Sequence, residues 1–425
     1  MTSPLPSVDP GQPTDRMAPP TVPPVRVAVL ITHPVHYSCA LFRRVAREPG
    51  IALTVLFGND ASLRPHYDPG FATSIEWDVP MTDGFDHRIV PAWGADAIPA
   101  FWWPFYRNLR RILKEGQFDW LWIHGYNRPS HWLAMAWAWS LGIRVMIRDE
   151  AHEVSRRRGL LKRTIKPLYF AVLNAAAERF LAIGSRNAAY YRQLGIPGSK
   201  IVSVPYAVDN GFFQAEDGRG RAALRRELGL PDDVPVILFA SRLLRRKHPD
   251  LLLEAFRRLS PAAAARHPHL VFVGVGEMLD PLKEKARDLD TVRFAGFRGQ
   301  QELRRFYDLC EVFVLPSVDE SWGLVVNEAM NLGKPVVVCD QVGSAQDLVR
   351  HGENGFTIPA GDVGALSAAL SAILSDPEQA SRMGALSRAI IDEWDFEADV
   401  RGLRLAMGLP PHPLPHTQPP LPEAS

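Results

Sequence analysis

The chain has 425 residues, 46% of them apolar and 22% charged, with three cysteines and a formal net charge of +1. That length exceeds one ordinary core and predicts two globular domains, and a basic first half joined to an acidic second half argues against a nucleic-acid-binding protein, which would carry a sustained basic face. Cys39, Cys310 and Cys339 are widely spaced with no CxxC pair, the pattern of structural thiols in a reducing cytoplasm, and the longest apolar run, 132–143, falls short of the roughly 20 residues a membrane span needs.

Residues 1–24, rich in Pro, Ser and Thr, carry no apolar period and are expected to be a disordered extension. The fold is expected to begin with a buried parallel-type strand at 25–31, followed by Thr32-His33-Pro34-Val35-His36-Tyr37 and a helix through Arg47. Such a strand-to-helix crossing is where open α/β sheets bind ligands. His33 and His36 are three apart with no third ligand nearby, so they are read as contacts to a ligand's phosphate or sugar rather than as metal ligands. A strand at 51–57 leads into a long insertion carrying Tyr67-Asp68-Pro69-Gly70-Phe71 and Trp77-Asp78-Val79-Pro80, either an acceptor contact or cover for the sheet. Next come helix 100–115, strand 119–123 with His124-Gly125-Tyr126 at its exit, helix 129–141, and strand 143–147 ending in Arg148-Asp149-Glu150. Helix 159–176, strand 179–183, helix 185–194 and strand 201–204 then complete six strands in a doubly wound sheet over 25–205.

This first half is basic. Residues 25–205 hold 23 Lys and Arg against 14 Asp and Glu, whereas 206–408 hold 24 against 30. The run Arg156-Arg157-Arg158, Lys162, Arg163 and Lys166, interleaved with Leu160, Leu161, Ile165 and Leu168, has the composition of a helix lying on anionic lipid heads or of an ordinary solvated face.

After a boundary near Pro205 to Asp209 the alternation restarts. Strands at 236–240, 270–273, 292–295, 312–315, 336–339 and 356–358, with helices between them, predict a second doubly wound sheet within 206–393. Helices at 363–375 and 377–393 follow, Trp394-Asp395-Phe396 interrupts, and a last helix within 394–408 is expected to pack back on the first domain. The proline-dense 409–425 reads as an extended tail.

Two stretches of the second half carry chemistry. Beyond the strand at 312–315, Glu320 and Glu328 bracket a helix start that Ser321-Trp322-Gly323 leads into. Gly323 removes a side chain where the first free N–H groups of the helix point outward, an end that attracts phosphate. Gly333 then takes the left-handed cap and Pro335 cannot continue the helix. A phosphate on the N–H groups of Leu324 and Val325, with a carboxylate for hydroxyls on either side, describes a sugar nucleotide. The second stretch, Ser241 to Lys247, leaves a buried strand, so Arg242 and Lys247 either neutralise a departing diphosphate or form a solvated basic turn. Val273-Gly274-Val275-Gly276 is a glycine pair short of a dinucleotide fingerprint. Two glutamates would also suit a glycosidase, but that chemistry needs neither neighbouring cations nor a phosphate-ready helix end.

From Phe239 to about Asp362 the chain resembles the donor-binding domain of retaining glycosyltransferases of family four, which have the GT-B architecture of two Rossmann-like domains facing across a cleft. The motifs that carry the resemblance are Ser241-Arg242-Leu243 with Lys247, Val273 to Gly276, Phe294-Ala295-Gly296-Phe297, Leu315-Pro316-Ser317, the E-x7-E pair Glu320 and Glu328, Gly333-Lys334-Pro335-Val336, Gly343, Asn354-Gly355-Phe356 and Asp362. The first domain is similar to bacterial members in Thr32 to Tyr37, Trp77 to Pro80 and His124-Gly125-Tyr126, so the resemblance covers roughly 25–408. It implies transfer of a sugar, with retention, from a nucleoside-diphosphate sugar to a glycan, lipid-linked or small-molecule acceptor, the leaving diphosphate helping to take the acceptor proton. No metal and no cofactor beyond that co-substrate are implied. Arg242 and Lys247 would hold the distal phosphate, the N–H groups of Leu324 and Val325 the phosphates, Glu328 the ribose and Glu320 the transferred sugar. Backbone around Phe297 and Arg298 would meet the base, with Gly274, His33, His36, Ser321, Trp322 and Gly323 also around the donor.

Two positions depart from the family pattern. Many relatives have a glycine pair where this chain has His33-Pro34-Val35-His36, and many place a histidine before the aspartate where it has Arg148-Asp149. Arg148 could bind donor sugar or phosphate but would not act as a base, because guanidinium stays protonated. His124 is then either the group that fills the gap or a buried structural histidine. A non-hydrolysing nucleotide-sugar epimerase and an inactive nucleotide-sugar-binding subunit are the alternatives on this architecture, and the expected location is cytoplasmic with peripheral contact at the inner membrane face.

Overall fold

The computed structural model describes residues 23–68, 73–75, 77–93, 105–150, 160–215, 218 and 220–411. The N-terminal extension to residue 22, residues 69–72 of the insertion, the arginines 156–158 and the tail from residue 412 lie outside that set.

Seven strands form the first sheet: β1 (Val25–Ile31), β2 (Ile51–Phe57), β3 (Asp86–Ile89), β4 (Trp120–His124), β5 (Arg144–Arg148), β6 (Arg179–Ala182) and β7 (Ile201–Ser203). Their spatial order is β7-β6-β5-β4-β1-β2-β3, and every pair is parallel. The central strands are near-continuous apolar runs because both faces are covered. Six of the seven follow the hydropathy pattern; β3 does not. Its four residues are all exposed, and it joins the edge through main-chain pairing with β2, from Thr54 opposite Asp86 to Phe57 opposite Ile89, so no apolar signal marks it. The helix expected at 100–115 is the shorter Leu109–Gly116, preceded by Phe105–Tyr106 in an antiparallel pair with Ala92–Trp93.

The second sheet has six parallel strands, β8 (Val236–Ala240), β9 (His269–Val273), β10 (Val292–Gly296), β11 (Val312–Leu315), β12 (Val336–Cys339) and β13 (Gly355–Ile358), in the order β10-β9-β8-β11-β12-β13. In each sheet the chain runs outward from a central strand and returns to that strand's other side. The reversal lies between β1 and β4 in the first sheet and between β8 and β11 in the second. Crevices at the carboxyl ends of such strand pairs are where α/β sheets take ligands. A cavity lies at each of these two reversals.

The chain crosses between the domains twice. After the second crossing, the terminal helix Phe396–Met407, capped by Asp395 accepting from the Ala398 N–H at 2.8 Å, packs on the first sheet. Val400, Leu403, Ala406 and Met407 join a core with Val27, Val29, Trp120 and Val202, and Gly402 admits the Ser203 carbonyl where a side chain would collide. Full burial of a Val, Leu or Met side chain contributes roughly 1.5–3 kcal/mol, so these contacts tie the last helix firmly to the domain the chain began with. Arg404 also reaches Glu48 at 2.9 Å, both side chains buried. Among the described residues no helix is long and apolar enough to cross a membrane, and all three cysteines are buried free thiols.

Candidate active site

The cavity at the β8/β11 reversal, about 300 Å³ in volume, is built largely by main chain. Helix α1 of this site (Leu324–Asn331) starts at Gly323, whose φ of 89° lies in the left-handed region that glycine adopts without strain. The Val326 N–H returns to the Gly323 carbonyl at 2.9 Å, while Leu324 and Val325, whose N–H groups have no intrahelical acceptor, line the cavity. At the other end Gly333 has φ 64°, and the N–H groups of Gly333 and Lys334 close onto the carbonyls of Met330 and Ala329. The second wall is the exit of β8. A Cβ on Gly274 would fall on the Ser241 carbonyl, and one on Gly276 on the Leu243 carbonyl. The glycine pair is therefore what lets the β9 exit lie against the 241–243 turn and hold Arg242 and Lys247 at the cavity.

Lys247 is only 7% exposed. Its ammonium meets the Glu320 carboxylate, which Arg246 also reaches at 3.2 Å. Burial pulls the Lys247 pKa below its ordinary value, against the pull of Glu320. Glu320 thus faces the cavity held by two cations. Glu328, 4% exposed, has a different environment: Tyr307 donates to its Oε2 at 2.7 Å, the Gln300 amide lies 3.5 Å from Oε1, and burial raises its pKa to about 7. The two glutamates of the E-x7-E pair are brought to one cavity with unlike electrostatics.

The first domain closes the cavity's third side. His36 stacks on Trp77 with centroids 4.3 Å apart, and Trp77 meets Phe297 edge-on at 6.3 Å. Gln300 begins the helix Gln300–Leu309, and its Nε2 lies 3.1 Å from His36 Nε2. Both neighbours of that amide, Glu328 and a neutral His36 whose pKa burial lowers to about 4, accept hydrogen bonds, so it is the NH2 that faces them. Asp78 accepts from the main-chain N–H groups of Gln300 and Gln301 at 2.8 and 3.0 Å.

A second cavity opens at the β1/β4 reversal, lined by His33, His124, His131, Arg148, Asp149, Glu150, Tyr206 and Ser321 among others. His33 and His36 therefore face different cavities. Burial lowers the pKa of both His124 and His131 to about 3, Arg148 adding to the effect on His124 and Arg128 on His131. Neither ring nitrogen of His131 has a hydrogen-bond partner, nor does His124 Nε2. His131 is 1% exposed. Arg148 is turned away from the role open to it in the sequence: its Nη2 donates to the carbonyls of Val204 and Pro205 and to Asp399 at 2.8–3.1 Å, so it pins the terminal helix. Trp322 also departs from expectation. Its ring packs against Trp394 at 5.4 Å and its Nε1 donates to Asn327, leaving only its main chain near the site. The Arg298 guanidinium is held by Glu227, Glu302 and the Ala295 carbonyl, while Phe297 and Arg298 both line the first cavity.

Sequence reasoning gave no role to Arg246, Gln300, Tyr307 or His131. Arg246 stood inside the run already singled out, and Gln300 follows a glycine at a helix start. Tyr307 and His131 carried no signal, because each is an ordinary core-facing helix position. Among the described residues no three His, Cys, Asp or Glu side chains group as a metal site.

Comparison with known proteins places the two domains separately. The family described as glycosyl transferases group 1 matches residues 220–389, and that described as glycosyltransferase family 4 matches residues 39–212. The chain is similar to D-inositol 3-phosphate glycosyltransferase of Thermomonospora curvata, 33% identical over 243 residues, 53% of this chain and 56% of that one. It is likewise similar to a GDP-mannose-dependent alpha-(1-6)-phosphatidylinositol monomannoside mannosyltransferase of Mycolicibacterium smegmatis, 34% identical over 224 residues, 49% of this chain and 56% of the relative. The chain spans about half the length of the curated relatives it matches. In fold it is similar to Anabaena Alr3699/HepE in complex with UDP and glucose, with a TM-score of 0.65 at 16% identity over 91% of this chain and all of that one. WaaG, a glycosyltransferase involved in lipopolysaccharide biosynthesis, gives the same TM-score over 90% of this chain. With a GT-B fold and both of its domains matched from residue 39 to residue 389, the chain belongs to glycosyltransferase family 4, the group 1 glycosyl transferases.

Proposed function

We propose that the protein is a retaining glycosyltransferase that moves a sugar from a nucleoside-diphosphate sugar to an acceptor hydroxyl without a metal. The observation that carries this reading is that Lys247, Glu320, the Leu324–Val325 helix start and Glu328 line one cavity. Main-chain N–H groups and the Arg242 and Lys247 cations take the diphosphate, supplying in side chains the charge that a divalent ion would otherwise supply. Glu328, held in place by the Tyr307 hydroxyl behind it, takes ribose hydroxyls. Glu320, fixed by Lys247 and Arg246, faces hydroxyls of the transferred sugar. As the bond from the anomeric carbon to the diphosphate oxygen breaks, the acceptor oxygen bonds to that carbon on the same face and its proton passes to the departing diphosphate. The neutral imidazoles of the second cavity suit acceptor hydroxyls. Relatives include a GDP-mannose-dependent enzyme and a fold neighbour solved with UDP, so the base is left to experiment. Thermal-shift titration with UDP, GDP, ADP and dTDP tests the donor assignment, since a bound nucleotide raises stability by linkage. No shift with any of the four, in protein that is folded, would refute it. Conversion of the donor without an acceptor would favour an epimerase, and binding without turnover an inactive subunit.

A lipid-linked acceptor met at a membrane surface is the acceptor reading favoured here. Leu168 and Val172 are exposed one turn apart on the helix Leu160–Ala176, and Trp139, on the helix Pro129–Ser140, is 81% exposed. They lie on the basic half of the chain, and apolar residues beside cations favour anionic lipid. The protein should sediment with vesicles rich in phosphatidylglycerol and not with phosphatidylcholine alone; Leu168→Glu with Val172→Glu should abolish that. Equal recovery with both lipids would remove the idea.

A further inference from the structure

The helix Gln300–Leu309 belongs to the second domain, yet its start is capped by the first. Gly299 stands at the N-cap position with φ −70° and ψ 174° and supplies no side chain. A helix start leaves N–H groups that need an acceptor, and the acceptor here is Asp78, whose two carboxylate oxygens take Gln300 and Gln301 separately. A Cβ on residue 299 would fall on that carboxylate, so the missing side chain is the space the other domain's aspartate occupies. The same residue that Asp78 caps, Gln300, carries the amide between His36 and Glu328. Trp77, next to Asp78, packs on His36 and Phe297 at the rim of the same cavity.

We infer that Asp78 is a positioning residue: its cross-domain cap on the helix Gln300–Leu309 ties the two domains closed around the donor cavity and sets the orientation of Gln300 toward Glu328. This rests on the donor reading given above for the site's use, though not for the tie itself. When binding needs the closed arrangement, apparent affinity scales with the fraction of molecules already closed. An intramolecular bond that favours closure therefore tightens nucleotide binding without touching the nucleotide.

A plain helix cap and a domain tie are separable by moving the cap. Asp78→Ala removes both. Gly299→Ser in that background restores an acceptor from within the helix, because serine is a favoured N-cap residue and the backbone there is already extended, but it makes no bond to the first domain. Asp78→Ala should lower the melting temperature by a few degrees and weaken binding of whichever of UDP, GDP, ADP or dTDP stabilises the wild type by about threefold to tenfold, the range a lost cap implies. The double variant should regain the melting temperature and keep the weakened binding. Small-angle X-ray scattering of unliganded protein reads the tie without nucleotide: the radius of gyration should increase in Asp78→Ala and in the double variant alike. If the double variant recovers both melting temperature and nucleotide affinity, Asp78 is only a cap and the inference is overturned; it is equally overturned if scattering from both variants matches wild type. A wild type that no nucleotide stabilises, but whose variants open, would instead sink the donor reading and leave the tie standing.

Discussion

The two cavities occupy equivalent places, each at a strand-order reversal, and are built from opposite materials. The one at the β8/β11 reversal is main chain and charge: a bare helix start, a turn admitted by two glycines, and a carboxylate held by two cations. The one at the β1/β4 reversal is side chain and burial, with two imidazoles kept neutral and three of their nitrogens without partners. Phosphate is satisfied by N–H groups and fixed cations, which many sequences can supply in the same way. A hydroxyl-bearing acceptor is matched by individually placed side chains, which differ with each acceptor.

That contrast is open to attack, and the largest effect should come from its charged side. On the proposed function, Lys247→Ala removes a cation from the diphosphate and should lower transfer by about 10²–10³-fold, the usual cost of deleting an electrostatic contact made to developing charge. His131→Asn should leave the nucleotide-induced thermal shift unchanged. Wild-type turnover in Lys247→Ala, or a lost nucleotide shift in His131→Asn, would break the division between the cavities. Next in size, Gly274→Ala forces a residue with φ 129° to carry a side chain onto the Ser241 carbonyl. Strain of that kind costs on the order of 1–3 kcal/mol, so the denaturation midpoint should fall and nucleotide affinity with it. An unchanged midpoint would mean that the turn has room to move.

The smallest and most diagnostic effect is in pH dependence, where the two cavities should differ in sign. His124 and His131 have folded pKa values near 3 against an ordinary 6.5. The unfolded chain therefore binds more protons in between, and their contribution to stability is complete above pH 6.5 and lost as the pH falls. Glu328 is raised from 4.5 to about 7, so the folded state holds its proton longer, and stability falls as the pH rises through that window. Each group changes stability by at most about 1.4 kcal/mol per pH unit. Melting curves should show Glu328→Gln gaining on the wild type between pH 5 and 7, and His131→Asn gaining on it as the pH drops from 6.5 to 5. The same sign for both variants would contradict the two environments.

The cavity at the β8/β11 reversal was legible in the sequence because main-chain geometry leaves local marks. Gly323 before an apolar helix, Gly333 with Pro335 after it, and cations following a buried strand each announce a conformation that few other residues would serve. The sheets were legible for a related reason: strands covered on both faces must be apolar throughout. Edge strand β3 escaped because an exposed strand needs no such run. Arg148 and Trp322 were misread in the same way. Each lies in a stretch whose backbone is where the motif implies, but its side chain answers to a partner far along the chain, Asp399 in one case and Trp394 in the other. Asp78 and Gln300 were out of reach because their contact joins positions separated by 222 residues.

The return of the terminal helix to the first sheet has a consequence for biosynthesis. Val400, Leu403, Ala406 and Met407 cover part of one face of a sheet whose strands all leave the ribosome before any of the second domain is made. The first domain must therefore wait for the last part of its cover until the second domain has been made in full. A truncation just before Phe396 would leave the second sheet intact and uncover the part of the first sheet that the terminal helix covers. Such a fragment should be held by chaperones or aggregate through the sheet that the missing helix covers, although every residue assigned to nucleotide binding is still present.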